Sequence, residues 1–307
     1  MPNPKERGAQ KFSRLPIRFE QGTVLPKPYW LKVRASREDD NTIKVRRTLT
    51  KFNLSTVCRE AACPNRGECF SRGTATFLVM GDICTRRCTF CDISHGRPAP
   101  LDPSEPTRLS QAVHELGLKY VVITSVDRDD LRDGGAAHYS ECIAALRNLD
   151  SSLRVEILVP DFRGRMEKAL DTLSANPPDI FNHNVETVPR LYSVVRPAAN
   201  YQHSLELLKK FKQRNPNVLT KSGLMLGLGE TDNEVLSVLE DLRRAQVDIV
   251  TIGQYLAPTK AHFAVQRYVT PKSFDAWRQT AKNMGFSHVF CGVFVRSSSH
   301  AEEQLRI

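Results

Sequence analysis

The chain has 307 residues and a formal net charge of +10, enough length to bury a large core as one big domain or two ordinary ones. No run of 18 apolar residues is present to span a membrane as a helix. The polar opening Met1-Pro2-Asn3-Pro4-Lys5-Glu6-Arg7 lacks the apolar core of a signal peptide, so a cytoplasmic protein is expected. Eight cysteines in that compartment argue against a disulfide framework. The positive charge suits an acidic partner or nucleic acid. The basic residues are scattered, however, and no RNA-binding motif with interleaved aromatics accompanies them, so neither nucleic acid nor membrane is expected as a partner.

Residues 1 to about 50 carry little regular pattern. Pro16, Pro26 and Pro28 interrupt them, and they read as an extended arm lying on the main body. Its most apolar piece, Leu25–Leu31, is the expected anchor. A short helix is expected over Thr42–Leu54, with Ile43, Val45 and Leu49 inward. The basic run Lys209-Lys210-Phe211-Lys212 reads as a solvated helix face.

Six of the eight cysteines fall between Cys58 and Cys91. The first three, Cys58, Cys63 and Cys69, are spaced C-x₄-C-x₅-C around a turn marked by Pro64, Asn65 and Gly67. Zinc sites normally use pairs two to four residues apart plus a fourth Cys or His, so an iron–sulfur cluster is the better reading and a joint zinc site the alternative. An apolar strand, Ala75–Met80, follows. Next come Cys84, Cys88 and Cys91, spaced C-x₃-C-x₂-C on a loop between that strand and a helix. Iron–sulfur clusters normally take four thiolates; three leave one iron open to a substrate or cofactor. A structural zinc or three buried thiols are the alternatives. Cys142 and Cys291 lie in apolar patterns and read as core.

Beyond this point strand and helix alternate. β-Branched strands are expected at Tyr120–Thr124, Leu153–Val159, Ile180–Val185, Thr220–Leu226 and Asp248–Gln254. Helices are expected at Leu109–Leu116, Ala136–Leu149, Met166–Leu173, Tyr201–Arg214, Thr231–Ala245 and Lys272–Met284. Six such units make an α/β protein with a parallel sheet, and sites in that class gather at the C-terminal ends of the strands. Periodicity alone does not say whether the sheet is flat or curled. The run Asp127-Arg128-Asp129-Asp130 lies at one strand end, where a solvated loop is the default. Arg196 fits a carboxylate partner or an ordinary surface position.

The spacing of Cys84, Cys88 and Cys91, with Phe90 before the last, resembles the radical S-adenosylmethionine (SAM) enzymes. Both triplets together resemble the lipoyl synthase family within them. So do Glu60–Asn65, Gly81–Arg86, Cys91–Ile93, Thr124–Leu131, Asp133–Ala136, Phe181–Thr187, Lys221–Glu230 and Arg296–Ala301. The resemblance runs from about Pro26 through nearly the whole chain.

It implies a partial parallel (β/α)6 barrel of radical SAM type, residues 71–285, with an N-terminal arm and second-cluster segment, 1–70, and a C-terminal segment, 286–307, closing on that cluster. It implies two 4Fe–4S clusters. One, on Cys84, Cys88 and Cys91, chelates SAM and initiates radical chemistry. The other, on Cys58, Cys63 and Cys69, takes a serine oxygen as fourth ligand. By position this is Ser298, although Ser299 stands where tyrosine is usual and the nearby His300 competes on chemical grounds.

Near SAM the resemblance places Gly134 and Gly135, Asn182, Asn184 and Glu186, and Gly227 and Glu230 of Gly223-x-Met225-x-Gly227-x-x-Glu230. The plainer readings are a glycine turn before a helix and buried amides satisfied inside the barrel. The implied reaction inserts sulfur at C6 and C8 of an octanoyl chain on a lysine of a lipoyl carrier domain. Implied partners are octanoylated 2-oxoacid dehydrogenase subunits and the glycine cleavage H protein, an electron donor such as flavodoxin or ferredoxin, and an iron–sulfur carrier protein. A sulfur-inserting relative acting on a free small molecule is the rival.

Overall fold

The computed structural model describes residues 5–17, 19, 25–32 and 39–298. Seven strands run parallel: β1 (Thr76–Val79), β2 (Tyr120–Ser125), β3 (Arg154–Leu158), β4 (Ile180–Asn182), β5 (Leu219–Leu226), β6 (Ile249–Gln254) and β7 (His288–Gly292). They pair in sequence order, and the pair Ser55–Thr56 adds antiparallel to the outer edge of β1. β7 bonds only to β6, so the sheet curls without closing. The expected partial barrel is therefore present. The run around Cys291, read from sequence only as apolar, supplies its seventh parallel strand beyond residue 285.

Helices cover the outer face: α1 (Asp40–Lys51) in the N-terminal part, then α2 (Glu105–Leu116), α3 (Ala136–Leu149), α4 (Met166–Ala175), α5 (Tyr201–Arg214), α6 (Asp232–Arg244) and α7 (Pro271–Asn283). α6 shows why they form. Thr231 and Glu234 make a reciprocal capping box, and Val235, Val238, Leu239 and Leu242 lie on one buried stripe. In α1, Val45, Thr48 and Leu49 are the buried residues, whereas Ile43 is only half-buried. Leu31 of the arm is buried beside an exposed Tyr29. Among the described residues no helix is long and apolar enough to cross a membrane.

Strand periodicity sorts side chains between the helices and the lumen. Phe181 faces outward and stacks on Phe211 of α5, with ring centroids 3.8 Å apart. Its neighbour Asn182 must then face inward. There Lys221 Nζ lies 2.9 Å from Glu156 Oε1, both side chains 0% exposed. Glu156 also accepts from Tyr120 at 2.6 Å and from Asn182 at 2.8 Å. Lys221→Met would strand this carboxylate and is expected to cost about 3–5 kcal/mol, since breaking a buried pair leaves an uncompensated charge. The double variant Lys221→Met/Glu156→Leu should recover most of that loss in urea unfolding. Equal destabilisation in both would show that volume, not charge, sets the cost.

Candidate functional site

The cysteine loop leaves the C-terminal end of β1 through Met80, which has φ +67°. Its ends are pinned by a two-stranded parallel ribbon of Ile83–Cys84 against Ser94–His95. Thr89 fastens its middle to the segment after β4, its N–H donating to Val195 O at 3.0 Å and its hydroxyl to Val194 O at 2.9 Å.

Cys84 is buried; Cys88 and Cys91 are half-buried by exposure. Burial pushes all three thiols up, Cys84 well up and Cys88 to about 12, and the charge of Asp127 adds to the rise at each. Such a set ionises readily only with a metal to bind the thiolates. Three thiols on one loop are the donors that an iron–sulfur cluster takes, each cysteine on a different iron. The donor set fits a 4Fe–4S cluster.

Arg86, inside the motif, is 5% exposed and forks to two carboxylates. It reaches Asp129 at 2.8 Å through Nε and Nη2, and Asp161 at 2.8 and 2.6 Å through Nη1 and Nη2. Asp127 lies 3.4 Å from the same guanidinium and accepts from Cys84 Sγ at 3.6 Å. Burial pushes the Asp127 carboxyl up. Arg128, 2% exposed, pairs with Asp130 at 2.8 Å and donates to the Met80 and Ala99 carbonyls. The charge run is thus a knot beneath the cysteine loop rather than a solvated turn. Asp161 and Arg86 escaped sequence reading because their partners lie 43 and 75 positions apart.

The residues placed near SAM prove heavily committed to the protein itself. Gly134 and Gly135 have φ +65° and +92°, the left-handed region that suits glycine. A Cβ on the first would sit 2.9 Å from the Phe162 ring, and one on the second would collide with Met80. Gly227, φ +102°, admits no Cβ beside Gln254 and the Arg267 carbonyl. Glu230 closes that turn, accepting from the N–H groups of Gly227 at 2.7 Å and Leu228 at 2.8 Å.

Asn184 Nδ2 donates to Glu186 and to Ser297, each at 3.1 Å, and burial pushes the Glu186 carboxyl up. Arg196 is no surface residue: buried, it donates to the Asn184 carbonyl at 3.0 Å. Buried oxygens of Asn182, Asn184, Thr187 and Asp127 nonetheless lack a hydrogen-bond partner. Buried polar atoms are normally satisfied, and these four can receive the ammonium and hydroxyl donors of a ligand such as SAM.

The second cysteine group is built from a short helix, Val57–Glu60, carrying Cys58, a turn through Cys63, and a helix, Arg66–Ser71, carrying Cys69. Cys63 N–H bonds to Cys58 O at 3.2 Å. The Cys58 thiol is pushed up by burial and by the nearby Cys63. A cavity of about 1280 Å³ opens beside Cys63, with Arg59, Glu60, Arg66 and Phe294 in its wall.

The C-terminal segment joins the second cysteine group to the polar residues after β4. Asn65 Nδ2 donates to Phe294 O at 2.6 Å across 229 positions, and Ser297 meets Asn184. The half-buried Arg296 lies where it feels the charges of both Cys63 and Glu186. Ser298 is the next residue after Ser297; Ser299 and His300 lie outside the described residues.

The N-terminal arm, featureless in sequence, touches both groups. Glu6 pairs with Arg87 at 3.1 Å and makes a backbone bridge to His95. Arg7 reaches Ser94 and Glu60, and Lys11 is buried against the cysteine loop.

An open parallel sheet with a three-cysteine loop at its strand ends defines a radical SAM protein, and residues 78–284 match the Radical SAM superfamily model. Two solved structures share the fold. Streptococcus suis SuiB bound to S-adenosylmethionine has TM-score 0.56 and 11% identity over 74% of this chain and 54% of that one. Methylornithine synthase (PylB) has TM-score 0.52 and 13% identity over 83% and 79%. Closer still in sequence are lipoyl synthases. That of Cupriavidus necator is 56% identical over 99% of this chain and 92% of its own length. That of Acidovorax ebreus is 57% identical over 99% and 93%. The chain belongs to the lipoyl synthase family: it is a sulfur-inserting radical SAM enzyme, its family using SAM, a 4Fe–4S cluster and an octanoylated protein substrate.

Proposed function

We propose that the chain inserts sulfur at C6 and C8 of an octanoyl group amide-linked to a lysine of a lipoyl carrier domain, consuming two SAM. The observation that carries this reading is the Phe294–Ser297 segment, fastened to the Cys58 group by Asn65 and to the SAM side by Asn184. It ties the second cysteine group to the polar residues after β4, which supports a second centre working on the same side as SAM.

Cys84, Cys88 and Cys91 hold the first cluster, which when bound supplies the electron that cleaves SAM to a 5′-deoxyadenosyl radical. Asn182, Asn184 and Glu186 offer polar atoms to SAM, while Gly134, Gly135, Gly227 and Glu230 shape the turns around it. Cys58, Cys63, Cys69 and Ser298 hold a second 4Fe–4S cluster, the source of the inserted sulfur. The unclosed sheet lets a long tethered chain reach the strand ends, and the protein's own work is to orient it and exclude water. Octanoylated 2-oxoacid dehydrogenase subunits and glycine cleavage H protein are the proposed carriers, with flavodoxin or ferredoxin as donor and an iron–sulfur carrier to rebuild the second cluster, in the cytoplasm.

Anaerobic incubation with an octanoyl-lysyl peptide, SAM and dithionite, read by mass, should give a product with two sulfur atoms. Turnover of a free octanoyl small molecule but not the peptide would overturn the reading. The charge of +10 adds an expectation: rising salt should slow reaction with an intact acidic carrier domain, while leaving a short neutral peptide unaffected. Equal sensitivity for both would remove steering as the role of that charge.

A further inference from the structure

The short helix Gly8–Phe12 carries one residue whose burial the reaction above does not use. Lys11 is 1% exposed. Its ammonium donates to the carbonyls of Cys91 at 2.7 Å and Ile93 at 2.9 Å. The arm's neighbouring charges are all paired at the rim: Lys5 with Asp82, Glu6 with Arg87, Arg7 with Glu60. Lys11 alone goes inward, and among the described residues it forms no ion pair with a carboxylate. A buried ammonium held by two neutral carbonyls and lying 5.6 Å from the centre of the Phe12 ring is costly to desolvate. Both acceptors belong to the end of the cysteine loop, one of them the backbone carbonyl of Cys91 itself, so a negative centre held by that loop shares the low-dielectric surroundings of this ammonium.

We propose that Lys11 is a positioning residue for the radical-forming centre: a fixed cation, delivered by the N-terminal arm, that offsets the negative charge of the cluster on Cys84, Cys88 and Cys91 and raises its reduction potential. The inference rests on that assignment of the cluster. The physical basis is Coulombic. Reduction adds one electron to the centre, and a cation fixed in low-dielectric surroundings stabilises the more negative state. Net charge nearby is one of the protein's levers on iron–sulfur potentials. The same two hydrogen bonds hold the backbone on either side of Asp92, so one side chain fixes both the shape and the field at the end of the cysteine loop. The arm is then a working part of the site that accepts the electron.

The test is a dithionite potentiometric titration of the full-length, iron-loaded enzyme, followed by electron paramagnetic resonance. The centre is identified as the signal that changes when SAM is added; absence of any such signal in the unaltered protein would sink the cluster assignment itself, separately from the role of Lys11. Lys11→Met and Lys11→Gln should shift the potential of that signal to more negative values, and Lys11→Arg should restore it. An unchanged potential in either neutral variant, with iron retained, overturns the proposal, as does a Gln variant that matches the original while Met does not. Should both neutral variants fail to hold the SAM-responsive cluster, loading by Lys11→Arg supports the requirement for charge, and its failure to load overturns it.

Discussion

Replacing Cys84, Cys88 and Cys91 together by alanine is expected to abolish SAM cleavage while leaving the second cluster in place. Replacing Cys58, Cys63 and Cys69 is expected to do the reverse, preserving SAM cleavage and ending sulfur insertion. The structure gives a reason for this independence. Cys84 packs with Leu78, Ile93 and Val126 in a small cluster of its own, whereas Cys58 belongs to the main core. The first group is pinned by its ribbon and by Arg86, and the second by two short helices and Asn65. Losing a buried sulfur costs packing on the order of 1 kcal/mol, as for deletion of a small core group, which a domain of this size tolerates. Iron and sulfide analysis of each triple variant, alongside deoxyadenosine release and product mass, checks the expectation. A folded triple variant that lost all its iron would show that the two groups serve one centre.

Arg86→Ala should be nearly as damaging without removing any ligand. Arg86 is the shared partner of Asp129 and Asp161 beneath the cysteine loop. Asp161 is 1% exposed, so the variant leaves a buried carboxylate without its cation, and that costs about 3–5 kcal/mol. Asp129 is 35% exposed and adds little, because water can take over its solvation. The guanidinium also sets the path of the backbone between Cys84 and Cys88, and a displacement of about 1 Å at a reacting centre lowers rates by about 10²-fold. Arg86→Lys should be intermediate at best, since an ammonium cannot fork to two carboxylates. Thermal unfolding with iron content separates the two effects. Full stability and full iron in Arg86→Ala would mean that the knot plays no structural part.

Much of this was open to sequence reading, for local reasons. The helices Ala136–Leu149 and Tyr201–Arg214 were legible to the residue because their apolar stripes end at strong boundaries, an αL glycine at Gly135 in one and an Asn200 cap in the other. The strand at Ile180 ran shorter than expected: after Asn182 the chain turns to carry Asn184 and Glu186, and only an isolated bridge at Glu186 continues the ladder. The cysteine triplets were legible because spacing along the chain is itself a local property. Ser298, by contrast, came only from resemblance, since a serine in a polar tail carries no local signal.

What the sequence determined by itself, then, was the alternation of strand and helix and the two cysteine triplets, both written in spacings of a few residues. Tertiary structure decided the rest. It curled the sheet without closing it, turned Lys221 and Glu156 into a buried pair 65 positions apart, and brought Lys11 under Cys91 from 80 positions away. It also showed that Gly134, Gly135 and Gly227 are glycines because side chains and backbone crowd them. The physical reason is common to all of these. A charge or a glycine is chosen for what lies across the fold from it, and neither periodicity nor spacing along the chain carries that information.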